Sequence, residues 1–150
     1  MRFVPADGAA RPLGKAEMAE LLEQPNIMRI AVIDFRDGTP LVHPVWHYFE
    51  GNKFFVAVDR DGTKAQSLRK NPSVYFLVDV DPEDGPPRGV RGKGTAKVVD
   101  DPEYATEVTR RNILRYIGSL EGKAAQKLLK VGKSSSVVEI TPSYMASWKF

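Results

Sequence analysis

The chain has 150 residues, 42% of them hydrophobic, with 22 Lys and Arg against 19 Asp and Glu for a formal charge of +3. That suits one small domain with one substantial core, and no apolar run approaches the roughly 18 residues that a membrane-crossing helix needs. Cysteine is absent, which excludes disulfides, thiolate catalysis, Cys-ligated zinc and iron–sulfur clusters, so any redox chemistry must come from a borrowed group.

In chain order, residues 1–13 hold Arg2 but no apolar segment of signal-peptide type, so the expectation is a cytoplasmic protein with no membrane partner. Residues 14–24 put Met18, Leu21 and Leu22 on one helical face that stops before Pro25, a helix expected to pack across one end of the fold. Ile30, Val32, Ala31, Ile33 and Phe35 fill both alternation sets of a strand, and residues 36–40 supply a turn with Gly38 able to take positive φ. Residues 41–49 read as a middle strand shared by two hairpins, with a second turn at 50–53 and a further strand at 54–58. Pro44 cannot donate to a ladder, which requires an edge stretch, a bulge or an interruption there.

The period then changes. Residues 59–62 form a loop, Thr63 is a good N-cap, and residues 64–70 are helix formers that Asn71-Pro72 stops. The first turn of this short helix offers unpaired N–H groups and the positive end of the dipole, with Thr63, Lys64 and Ser67 around it, an arrangement suited to a phosphate. Residues 73–80 are a strongly apolar strand, 81–87 a stiff acidic loop, and 88–99 a long strand whose Gly89, Gly92 and Gly94 mark a bulge, a barrel corner or a close ligand. Asp101-Pro102-Glu103 opens a helix bearing Tyr104, Val108 and Ile117, a second helix covers about 121–131, and 136–140 returns to a strand. No linker divides the chain. A mainly β architecture follows, an antiparallel barrel with helices outside it.

Gly38, Pro40, Val42, Pro44, Val45 and Trp46 in the hairpin, followed by Lys64, Ser67, Leu68, Arg69, Asn71 and Pro72, make an ordered pattern. Together with residues 138–142 and Trp148, it resembles the pyridoxamine-phosphate-oxidase-like flavoproteins. The resemblance implies an FMN-binding split barrel, with the cofactor in a groove at a homodimer interface. It would set His43, Pro44, Val45 and Trp46 along the isoalloxazine, with Val58 and Asp59 following, Thr63 and Lys64 as the phosphate-binding pair, and Ser67 one turn on. Two departures stand out. Arg88-Gly89 occupies the place of a ring-contacting Gln, and the C-terminal substrate-binding Arg-x-His is absent from residues 144–150, so vitamin B6 oxidation is not expected.

The implied chemistry is hydride transfer to or from a small organic substrate, with the cofactor carrying the reaction. FMN is the first reading and the deazaflavin coenzyme F-420 the alternative. Lys53, Arg60, Arg69, Lys70, Arg88, Arg91 and Lys93 are cations available to a longer anionic tail, and Arg91 is kept among the cofactor-binding residues. His43 and His47 would lie roughly 13 Å apart on one strand at about 3.3 Å per residue, too far to share a metal. A haem would need an axial ligand that the C-terminal region lacks. Two readings of other classes remain open. One is a flavin-binding carrier or sensor without turnover. The other is a nucleic-acid-binding barrel using Arg110, Arg111, Arg115, Lys123, Lys127, Lys130 and Lys133, disfavoured because no exposed aromatics interleave with that run.

Overall fold

A computed structural model describes the chain except residues 7 and 9, and of residues 5 and 82 the backbone only. Among the described residues the strands are β1 (Arg2–Pro5), β2 (Met28–Ile33), β3 (Pro40–Val45), β4 (Tyr48–Glu50), β5 (Lys53–Asp59), β6 (Ser73–Asp79), β7 (Arg88–Val99) and β8 (Ser135–Lys149). The helices are α1 (Lys15–Glu23), α2 (Thr63–Lys70), α3 (Pro102–Tyr116) and α4 (Lys123–Gly132), with a 3-10 turn at Pro82–Asp84.

The sheet runs in the order β3-β2-β6-β7-β8-β5-β4. Its two outermost strands are consecutive in sequence, joined only by Trp46 and His47. Three Cα steps separate Val45 from Tyr48 and reach at most about 11 Å, so the two edges must meet and the sheet must roll up. This is the split β-barrel, mainly antiparallel with helices outside it, that the sequence pattern implies. The middle strand expected over 41–49 is therefore two strands on opposite lips of the split. Pro44 lies on an edge strand opposite Arg29, where its missing N–H costs no ladder bond.

The interior is filled by alternate residues of the strands. Met28, Ile30, Phe54, Val56, Phe76 and Val78 are fully buried, and the Phe54 and Phe76 rings lie 4.9 Å apart. Leu21 and Leu22 of α1 join this core. Outside the barrel, Ala105 and Val108 of α3 pack with Tyr48 and Val137 in a second cluster.

Three features depart from expectation. Arg2–Pro5 is a strand, paired parallel with residues 144–147 of β8. β8 does not stop at Ile140 but continues through Pro142 to Lys149, crossing a register shift at Lys93/Gly94. Of the readings open for the β7 glycines, the structure takes the bulge and close approach of the chain to itself: a Cβ on Gly89 would sit 2.5 Å from the Trp148 ring and one on Gly94 2.7 Å from the Thr141 carbonyl.

Candidate functional site

The C-terminal ends of β3 and β5, the first turn of α2 and the facing sides of α3 and α4 line a half-open cavity of about 540 Å³. Pro44, Val45 and Trp46 come to it from the lip of the split, and Ala57, Val58 and Asp59 from the end of β5. Lys64 enters from α2, while Thr109, Asn112 and Ile113 of α3 and Leu128, Val131 and Gly132 of α4 roof it. Six of the ten residues proposed from sequence therefore share one wall: Pro44, Val45, Trp46, Val58, Asp59 and Lys64.

The cationic corner is built by a tight turn. The Gly62 N–H donates to the Asp59 carbonyl at 3.2 Å, and a Cβ on Gly62 would stand 3.1 Å from Asp59 Cβ. Gly62 is the N-cap and Thr63 the first helical residue, which corrects the capping role expected of Thr63. The N–H groups of the first turn then open beside Lys64, with no acidic residue in that turn to compete for an anion. Ser67 is turned away: fully buried, its hydroxyl accepts the Phe35 N–H at 3.1 Å, so it braces the β2–β3 turn and does not face the cavity.

His43 lies behind this corner and is not in the cavity wall. Its pKa is lowered by burial first and then by the positive charge of Lys64, opposed by Asp34. Its Nε2 is buried without a partner. The Asp34 carboxyl, 4% exposed, is held down to about 2, first by the Arg36 guanidinium, whose Nη2 sits 2.6 Å from it.

The aromatic wall is assembled from both sides of the split. Trp46 stacks on Tyr116 of α3, centroids 4.9 Å apart and planes 4° from parallel, so one Trp46 face is taken by the protein. The Tyr116 hydroxyl donates to the Asn26 carbonyl at 2.7 Å and accepts the His47 backbone N–H at 3.3 Å. With its one proton so used, it accepts from His47 Nδ1 at 3.1 Å, which fixes the tautomer and leaves Nε2 as a bare acceptor without a partner. His47 is wholly buried, and burial, then Arg115, lowers its pKa to about 3. It is a neutral core residue bracing the junction, not a strand-face histidine in line with His43.

Arg91 is placed elsewhere. It opposes Leu77 and Ala146, is not in the cavity wall, and its guanidinium donates to the Ala6 carbonyl at 3.2 Å. Most of the other proposed cations are also engaged. Arg69 pairs with Asp100 at 2.8 Å, Arg60 donates to the Lys133 carbonyl, and Lys53 faces Glu139 at 3.8 Å. Of the late-helix arginines, Arg110 pairs with Glu107, Arg111 with Glu50 while lying 3.8 Å over the Tyr48 ring, and Arg115 donates to the Leu22, Glu23 and Gln24 carbonyls at the end of α1. Arg111 thus ties α3 to β4 and Arg115 ties α3 to α1, while the Arg110 pair stays within α3.

Sequence reasoning missed the roof. Thr109, Asn112, Leu128 and Val131 read as ordinary helix-surface residues, yet they close the cavity. One signal was available: Val108, Asn112 and Tyr116 fall on a single i, i+4, i+8 stripe, so a polar residue sits in the middle of a packing face.

The fold recurs in solved structures. A conserved hypothetical protein from Mycobacterium tuberculosis superposes with a TM-score of 0.79 at 23% identity, over 97% of this chain and 90% of that one. A protein described as an F420 reductase gives 0.69 at 25% identity, over 85% of this chain and 94% of that one. An FAD-binding protein from Mesorhizobium loti gives 0.67 at 17% identity, over 94% and 98%. No curated protein matches the chain significantly. The family model described as pyridoxamine 5'-phosphate oxidase matches residues 15–149, all four helices and every strand after β1, and the chain belongs to that family.

Proposed function

We propose that the chain is a flavin-type oxidoreductase that holds the phosphate of its cofactor at Lys64 and the ring in the adjoining cavity. The observation that carries this reading is the pairing of one cation and a free helix N-terminus with a roofed, largely apolar space of about 540 Å³, a size within the usual range of ligand pockets. The donor set fits. Lys64 and the first-turn amides suit a phosphate.

When bound, a flavin or deazaflavin supplies the hydride-transfer chemistry. The chain's own residues bind, orient and dry the site. Lys64 contributes charge, Trp46 presents a wall that its stack on Tyr116 keeps from rotating, and Val58, Ile113 and Leu128 exclude water. His43, its pKa lowered, stays neutral near pH 7 and adds no second positive charge beside Lys64.

FMN is the first reading. Coenzyme F-420 is the second, favoured by the 25% identity to a protein described as an F420 reductase. The proposed assembly is a homodimer, which light scattering at micromolar concentration checks. Titration of the purified protein with FMN and with F-420, followed by absorption and fluorescence, is the deciding experiment. Tight binding of one names the cofactor, and binding of neither removes the proposal.

A further inference from the structure

α4 is tied firmly at one end only. Ala125, Leu128, Leu129 and Gly132 fall at i, i+3, i+4 and i+7, a single packing stripe, yet only Ala125 and Gly132 are buried. Leu128 is half-buried and Val131 is 48% exposed, and both lie in the cavity wall. Among the described residues, neither hydrophobic cluster includes any part of α4. The helix begins without a side-chain cap, after Gly118 and Gly122 at φ of 86° and 110°. Polar contacts there stay local: the Glu121 N–H donates to Ser119 Oγ at 3.0 Å and the Gln126 amide to the Leu120 carbonyl at 2.7 Å. The other end is gripped. The Arg60 N–H donates to the Ser134 carbonyl at 3.2 Å and its guanidinium to the Lys133 carbonyl at 2.8 Å, while a Cβ on Gly132 would stand 3.2 Å from Thr109 Cβ. Arg60 belongs to the turn that leads into Lys64, so the cationic corner and the end of α4 are joined directly.

We propose that α4 is a lid on the half-open cavity, anchored by Arg60 at its C-terminal end and swinging on Gly118 and Gly122 at the other. A segment with few buried apolar contacts opens locally at a fraction of the cost of global unfolding. With the cavity empty, Leu128 and Val131 have apolar surface facing open space. An apolar ring beneath them buries that surface, so binding holds the helix down and the same helix slows the ring's escape. The proposal rests on the flavin-type reading above and goes further in naming the element that moves.

The experiment is amide hydrogen exchange on the whole chain, with and without saturating FMN, or F-420 where that is the one bound, alongside the dissociation rate by stopped-flow fluorescence. Without ligand, α4 should exchange at least about tenfold faster than α3, and ligand should slow α4 by about tenfold or more while β6 and β7 stay unchanged. Gly122→Ala puts a side chain on a backbone conformation that favours glycine and touches no cavity residue. It should speed both α4 exchange and ligand dissociation by about tenfold, a coupling that a merely structural helix would not produce. Ligand-free α4 exchanging as slowly as α3 would overturn the lid whatever the cofactor. Bound ligand with α4 exchange unchanged, or a faster α4 in Gly122→Ala with dissociation unchanged, would overturn it and leave the cofactor reading intact. If wild type binds neither FMN nor F-420, both fall together. Should Gly122→Ala fail to fold, Arg60→Ala, which frees the anchored end, is expected to act in the same direction on both readouts, and an unchanged dissociation rate there would again overturn the lid.

Discussion

Two hollows of similar size differ in kind. The roofed cavity beside Lys64 measures about 540 Å³. The groove under α1 and β1, about 630 Å³, is lined mainly by Phe3, Val4, Leu13, Met18, Leu22 and Phe49. In the first, Lys64 stands with the first turn of α2 against largely apolar walls. The groove also has Lys15 at a helix start, but there Glu17 lies in the first turn and accepts the Gly14 N–H at 3.0 Å. Volume alone would choose the groove. Chemistry chooses the cavity, because a binding site needs a few convergent polar groups that the fold itself leaves unsatisfied.

The strongest way to break this comparison is at Lys64. Removing a charge-assisted contact to a phosphate costs about 1.5–3 kcal/mol, so Lys64→Ala should weaken cofactor affinity roughly 10- to 150-fold, with the fold unchanged by circular dichroism. Rising salt should weaken the wild type more than the variant. An unchanged dissociation constant would take the cationic corner out of the site and with it the reason for preferring this cavity.

The next prediction uses acid. His47 braces the aromatic wall of the cavity and has its pKa lowered to about 3 by burial and by Arg115. In the unfolded chain it titrates near 6.5. Between these two values the unfolded state holds a proton that the folded state refuses, so stability falls as pH drops from about 6.5 toward 3, by at most about 1.4 kcal/mol per pH unit. Above 6.5 this contribution is flat. Urea melts at a series of pH values should therefore show a smaller acid slope for His47→Phe than for wild type between pH 6.5 and 4, and identical slopes would mean that the buried imidazole is protonated in the native state.

Local chemistry was legible in the sequence where it acts over a few residues. The helix at 63–70 ends where Asn71-Pro72 forbids another turn, and α3 begins where Asp101 accepts the Glu103 and Tyr104 N–H groups. The resemblance added the overall barrel. Long-range pairings stayed hidden. Four residues, Arg2–Pro5, carry no periodic signal and become a strand only because β8 passes alongside. β8 itself looked finished at Pro142, yet that proline stands opposite Gly94 at the register shift, where no regular ladder N–H is demanded. The site followed the same rule. Pro44, Val45, Trp46, Val58, Asp59 and Lys64 were visible because they sit in two short stretches. The lining residues of α3 and α4 were not, since their place depends on which strands those helices happen to cover.

A smaller effect is expected at Tyr116, whose hydroxyl serves Asn26 and His47 while its ring carries Trp46. Tyr116→Phe keeps the stack and leaves the Asn26 carbonyl and His47 donors unpaired, so it should cost about 1–3 kcal/mol in urea melts. Cofactor affinity should fall little, because the wall itself remains. A large loss of affinity with stability intact would show instead that the hydroxyl faces the ligand.

The least effect is predicted in the groove, and it gives the comparison its control. Phe3 is 59% exposed and pairs with Met145 on the far half of β8, the opposite end of that strand from Ser135 in the cavity wall. Phe3→Ala removes the largest exposed ring lining the groove while touching no cavity residue. Sites with no shared partners add within about 0.5 kcal/mol, so the dissociation constant for FMN or F-420 should stay within roughly twofold of wild type. A loss as large as that of Lys64→Ala would mean that the groove takes part in cofactor binding, for instance by shaping a subunit contact that completes the site. Chemistry within one protomer would then have been an insufficient guide, and the two hollows would have to be read as parts of one site.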